Sequence, residues 1–178
     1  MRDRDQAGRP RNARPRDALG RPLPRDADAD AGAGAGAGTG GDAGATAGNE
    51  PRIPDDLSLA PDQTVRLADQ LLRDGRPFHA HEVLEAAWKT GPADERDLWQ
   101  GLAQIAVGLT HAHRGNARGA VTLLRRGARR AGESRPPDSY GMDLEAMTAT
   151  ARTLADDIER DGLASIPPVA LCPALRRR

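Results

Sequence analysis

The residues of this chain whose types and spacing could perform chemistry are a histidine and a glutamate, His81 and Glu85. They lie four positions apart in residues 78–88, where the apolar periodicity predicts a helix. Positions i and i+4 of a helix face the same side, so the carboxylate can contact the imidazole. A carboxylate fixes the tautomer of a histidine and raises its basicity, as general-base catalysis requires.

All four histidines occur in two His-Ala-His triplets, His79/His81 and His111/His113. Side chains two positions apart on a helix are separated by about 200°, so neither triplet can chelate one metal ion by itself. One member of each triplet is therefore expected to turn inward. The helical phase selects His81 and His111.

The elements that must position these residues are five predicted helices, which begin at Pro61. They span about residues 61–73, 78–89, 94–114, 117–131 and 143–161, and no convincing strand alternation appears between them. The third is apolar on most sides, which predicts a buried central helix. One of its stripes contains Gln100, Gln104 and His111, and these polar groups need partners if they are buried. The predicted fold is a compact all-α bundle.

The composition changes sharply along the chain, and we predict three segments. Residues 1–55 form a disordered tail rich in Ala, Gly, Arg and Asp, residues 56–162 form the helical domain, and residues 163–178 form a short irregular tail. After Met1, the large apolar side chains among the first fifty residues are Leu19 and Leu23. That is too little apolar area to offset the entropy of ordering the backbone.

Composition also narrows the functional classes. No apolar run can span a bilayer, and no apolar core of a signal peptide is present, so we expect a cytoplasmic protein without membrane contact. The single cysteine, Cys172, excludes an internal disulfide framework. With a net charge of +0 and 2% aromatic residues, the chain lacks the basic, aromatic surface typical of nucleic-acid binding.

Three motifs occur in register along the helices. They are Phe-His-Ala-His-Glu-Val-Leu-Glu-Ala-Ala-Trp at 78–88, Glu-Arg-Asp-Leu-Trp-Gln-Gly-Leu-Ala-Gln-Ile-Ala-Val at 95–107, and, after His111, Arg-Gly-Asn-Ala-Arg-Gly-Ala at 114–120. Their succession resembles a prokaryotic family known as domain of unknown function three-hundred-and-nine. The resemblance covers about residues 65–130 and implies a compact all-helical domain of uncharacterised biochemistry. The family residues that it carries over are His81, Glu82, Glu85, Trp88, Gln100, Gly101, Gln104, Asn116, Gly119 and Ala120. The chain departs from the family in its long leader and at Trp99, where the family more often has a smaller aromatic or aliphatic residue.

Two interpretations of the polar cluster stay open. The cluster comprises His81, Glu85, Trp88, Gln100, Gln104 and His111. The favoured interpretation is a structural or partner-binding module, whose partner is an unknown small molecule or protein and which is compatible with a homo-oligomer. Its polar network would fix the register of the second and third helices, and Gly101, Gly108 and Gly119 would let helices approach closely.

The alternative is a metal-dependent or acid–base enzyme that uses His81 and Glu85. The divalent metal that it could employ would be bound by His81, Glu85 and His111. The spacing on the second helix lacks the second histidine of a zinc-protease motif, which weakens the metal interpretation.

Overall fold

The structure is a computed structural model, and it describes residues 58–177. The predicted disordered tail, residues 1–55, lies outside the described residues. Within residues 58–177, five α-helices follow one another: α1 (Pro61–Arg73), α2 (Pro77–Thr90), α3 (Arg96–His113), α4 (Ala117–Gly132) and α5 (Leu144–Asp161). The predicted all-α fold is confirmed, and each helix lies close to its predicted bounds. In the part of the chain that is described, no helix is both long and apolar enough to cross a membrane.

The turns between helices depend on glycine and asparagine residues that follow the helix ends. Gly75 and Gly115 follow α1 and α3 with φ angles of 68° and 77°, a left-handed conformation that favours glycine. The side chain of Asn116 then caps α4 by accepting the backbone N–H of Gly119 at 2.9 Å. Because the α3–α4 connection is so short, these two helices form an antiparallel hairpin.

Helix α3 is the centre of the bundle and packs against both α2 and α4. Its side chains Leu98, Leu102, Ile105 and Leu109 are each 1% exposed. The crossing with α4 is close because glycines occupy it, as predicted for Gly101. A Cβ added at Gly101 would lie 2.5 Å from the backbone nitrogen of Ala131. This proximity fixes how the polar stripe of α3 lies against its neighbours.

The chain after α5 returns to the bundle. Two short 3-10 helices, Leu163–Ser165 and Pro168–Leu171, lead to residues 172–177, which we call the C-terminal segment. Leu175 in this segment is fully buried, and its backbone N–H donates to Asp69 of α1 at 2.7 Å. Arg176 forms an isolated antiparallel bridge with Met142, just before α5. The C-terminal segment therefore connects the first helix to the start of the last one.

Candidate functional site

A shallow recess of about 200 Å³ lies among α2, α3 and α4. Its lining comes from all three helices: His81, Glu85, Trp88, Gln100, Ala103, Gln104, Val107 and Leu123. Five of the six residues of the predicted polar cluster line this recess. Helical phase explains the grouping, because residues three, four and seven positions apart share one side of each helix.

On the α2 side, the imidazole of His81 lies beside the carboxylate of Glu85. The distance from His81 Nε2 to Glu85 Oε2 is 3.4 Å, and Lys89 Nζ lies 2.9 Å from Glu85 Oε1. Burial lowers the pKa of His81, Glu85 opposes this shift, and Lys89 lowers the pKa further. The imidazole is therefore neutral near neutral pH, and the carboxylate favours the tautomer with the proton on Nε2.

That tautomer leaves His81 Nδ1 as a hydrogen-bond acceptor. Nδ1 is buried, and no group of residues 58–177 hydrogen-bonds to it. The imidazole thus presents one nitrogen to Glu85 and leaves the other without a partner.

On the α3 side, two glutamines one turn apart differ in their hydrogen bonding. Arg130 of α4 donates to Gln100 Oε1 and also to Asp97 Oδ1, the latter at 3.0 Å. Gln104 Oε1 is buried, and no described residue hydrogen-bonds to it. Two residues of the lining, His81 and Gln104, therefore each have a buried acceptor to which no described residue donates.

Arg130 belongs to this site although the sequence did not single it out. The signal that could have revealed it is its phase. Arg130 follows Leu123 by seven residues, so both lie on the side of α4 that meets the recess.

His111, the sixth residue of the predicted cluster, is not in the lining of the recess. Its Nδ1 accepts a hydrogen bond from Asn116 Nδ2 at 2.8 Å, at the turn between α3 and α4. It shares the stripe of Gln104 but is displaced by seven residues, or about 10 Å along the helix axis. Gly119 makes room for the contact, since a Cβ there would lie 2.7 Å from His111 Nδ1.

The metal set suggested by the sequence, His81, Glu85 and His111, is consequently not brought together. Within residues 58–177 there is no group of three or more His, Cys, Asp or Glu side chains that could hold a metal ion.

The prediction that His81 is the inward member of its triplet is wrong. His79 is 4% exposed, whereas the side chain of His81 is 24% exposed. The buried side of α2 extends past Val83 to Ala86, which shifts its centre toward His79. His81 instead lies at the edge of that side, where Trp88 and Glu85 also lie.

The two tryptophans occupy different environments. Trp99 is 1% exposed and belongs to the core, and its indole N–H donates to Glu95 Oε2 at 2.8 Å. The same carboxylate accepts the hydroxyl of Tyr140, which raises the pKa of Tyr140 to about 12. Trp88 is only partly buried and forms one wall of the recess. Trp88 therefore reports on the recess, while Trp99 reports on the core.

A larger hollow, of about 620 Å³, lies between the α4–α5 loop and the start of α5. Its arginines are engaged by the domain itself. Arg152 donates to the carbonyl of Ala128 at 3.2 Å, and Arg177 lies 3.2 Å from the carboxylate of Asp138. The smaller recess is the stronger candidate, because it holds polar atoms for which the described chain supplies no partner.

Comparison with known proteins finds matches for the region that contains the recess. A family model described as Domain of unknown function (DUF309) matches residues 65–123, a segment that includes every residue lining the recess. Uncharacterized protein YpuF of Bacillus subtilis (strain 168) is 33% identical over 84 residues, which are 46% of this chain and 48% of that protein. The chain thus spans about half the length of this curated relative. No solved structure matches the chain. The resemblance predicted from the sequence is confirmed, because the DUF309 family model matches this chain at residues 65–123.

Proposed function

We propose that the recess is a binding site for a hydrogen-bond-donating group, supplied by a small molecule or by a side chain of a partner protein. The observation that supports this is the pair of acceptors in its lining, His81 Nδ1 and Gln104 Oε1, to which residues 58–177 supply no donor. A buried polar atom without a hydrogen bond costs about 1–3 kcal/mol of stability. A ligand that donates to both atoms would remove that cost.

The size and the lining of the recess limit which groups it can bind. Ala103, Val107 and Leu123 provide apolar contact, and Trp88 adds an aromatic ring. Its volume of about 200 Å³ is below the ~300–1,000 Å³ of sites that enclose a drug-sized ligand. It suits a single side chain or a molecule of similar size. Both acceptors are covered, so the ligand reaches them after the side chains of His81 and Gln104 rotate.

A purely structural network is the interpretation that this proposal displaces. Such a network stabilises a fold when its members satisfy one another. Gln100 fits that description, because Arg130 donates to it. Gln104 and His81 do not fit it, and their unsatisfied atoms work against stability.

Acid–base catalysis by His81 and Glu85 is the second candidate. The neutral imidazole with a carboxylate at Nε2 favours it. A general base must however reach the proton that it removes, at about 3 Å. The covered position of His81 Nδ1 therefore favours binding over catalysis.

The two glutamines provide a matched test of the binding proposal. Each is replaced by leucine, and the free energy of unfolding is measured with urea. Gln104→Leu removes an acceptor without a partner, so stability should stay the same or rise by up to about 1 kcal/mol. Gln100→Leu leaves Arg130 without its amide partner and should lower stability by about 1 kcal/mol. Equal destabilisation by both changes would contradict the proposal, because Gln104 would then belong to a structural network.

A further inference from the structure

The polar groups of the recess select a particular kind of donor. On the basis of the proposed binding function, we infer that the recess binds a guanidinium group. Its two polar atoms without a hydrogen bond, His81 Nδ1 and Gln104 Oε1, are acceptors, and Glu85 adds a carboxylate to the same lining. A guanidinium carries five N–H donors, no acceptor and a permanent positive charge. Its planar fork can donate to two acceptors at once, whereas an ammonium group, which acts as a point charge, does so less well.

The domain already binds one guanidinium with the same kinds of group. Arg130 donates to the amide oxygen of Gln100 and to the carboxylate of Asp97. One turn further along α3, Gln104 offers the same amide oxygen, and Glu85 of α2 offers a carboxylate. In the recess, however, no described residue donates to the amide oxygen. An incoming guanidinium would repeat the arrangement that Arg130 makes with its own chain.

Two further features fit a guanidinium. The ring of Trp88 lines the recess, and guanidinium groups stack on indole faces with favourable energy. Lys89 contacts Glu85 at present, but its side chain is 61% exposed. Ion pairs of such exposure contribute little, so a better-placed cation can displace Lys89.

The experiment follows Trp88 fluorescence in a Trp99→Phe variant during titration with methylguanidinium chloride at constant ionic strength. Methylurea is the control, since it has a similar shape and N–H donors but no charge. We expect a saturable change with methylguanidinium and at least about tenfold weaker binding of methylurea. Glu85→Gln and Gln104→Leu should each weaken methylguanidinium binding by about tenfold. Because Trp99 is a core residue, the indole N–H resonance of Trp88 in the unmodified chain provides the same titration by NMR.

A second pair of probes identifies the source of the group. A Gly-Arg-Gly peptide that binds more tightly than methylguanidinium would assign the recess to an arginine of a partner protein. The reverse order would assign it to a free guanidinium compound.

The outcomes separate this inference from the proposal on which it rests. If methylurea binds as well as methylguanidinium, the recess takes donors irrespective of charge, and only the guanidinium inference is overturned. If neither probe binds while Gln104→Leu leaves stability unchanged or higher, the guanidinium inference is again overturned and the binding proposal stands. If neither binds and Gln104→Leu destabilises the domain as much as Gln100→Leu, both are overturned.

Discussion

The carboxylate of Asp69 and two acceptors of the recess, His81 Nδ1 and Gln104 Oε1, are all buried, but, of these, residues 58–177 supply hydrogen-bond donors only to the carboxylate. Asp69 Oδ1 accepts the backbone N–H groups of Leu175 at 2.7 Å and Arg176 at 3.0 Å. Its Oδ2 lies 3.0 Å from Arg73 Nε. In the recess, no described residue donates to Gln104 Oε1 or to His81 Nδ1. The Asp69 carboxylate is therefore satisfied by the described residues, whereas the two acceptors of the recess are candidates for binding.

The largest effect expected from this comparison is at Asp69. Asp69→Ala removes the acceptor of two backbone N–H groups and releases the C-terminal segment, so stability should fall by about 3 kcal/mol. Asp69→Asn keeps an acceptor oxygen and should lose less. Urea unfolding of both variants measures the difference.

The control for Asp69 is Asp62 of the same helix, whose side chain is 39% exposed and pairs with Arg66 at 2.7 Å. Asp62→Ala should cost less than about 1 kcal/mol, because exposed ion pairs contribute little. If Asp69→Ala costs no more than Asp62→Ala, the C-terminal segment is not held by this carboxylate, and the contrast with the recess disappears.

A smaller effect on stability is expected from a change of pH, through the titration of His81 at the edge of the recess. Burial lowers the pKa of His81 below its ordinary value of 6.5, so the unfolded chain takes up this proton first as the pH falls. Stability is therefore complete above pH 6.5 and is lost as the pH falls from there through the folded pKa. His113, whose pKa burial also lowers, contributes with the same sign.

The measurement is urea unfolding at about pH 7.5 and about pH 5.5. The loss of stability between the two should become smaller in His81→Gln and, separately, in His113→Gln. An unchanged loss in His81→Gln would show that this histidine does not titrate differently on folding.

The sequence predicted the helices and most of the recess, because both depend on local patterns. Apolar periodicity predicted the helix bounds, and phase grouped His81 with Glu85 and Gln100 with Gln104. Phase alone does not report position along the axis, and His111 was therefore placed with a cluster from which it is about two turns distant.

Other features depend on contacts between distant parts of the chain. Asp69 and Leu175 are 106 residues apart in sequence, and no local pattern pairs them. The same is true of Arg130 and Gln100, which are 30 residues apart. The burial of His79 depends on the width of the face of α2 that the neighbouring helices cover. Apolar periodicity estimates that width only approximately.

The open acceptor at His81 is tested most directly by ¹⁵N NMR of its imidazole near neutral pH, with His81→Gln used to assign the resonances. The structure predicts a neutral ring with the proton on Nε2, facing Glu85, and a bare Nδ1 without a hydrogen bond. Addition of methylguanidinium should shift the Nδ1 resonance as that nitrogen gains a donor. A proton on Nδ1, donated to a group of the chain itself, would contradict the claim that the recess holds an acceptor reserved for a ligand.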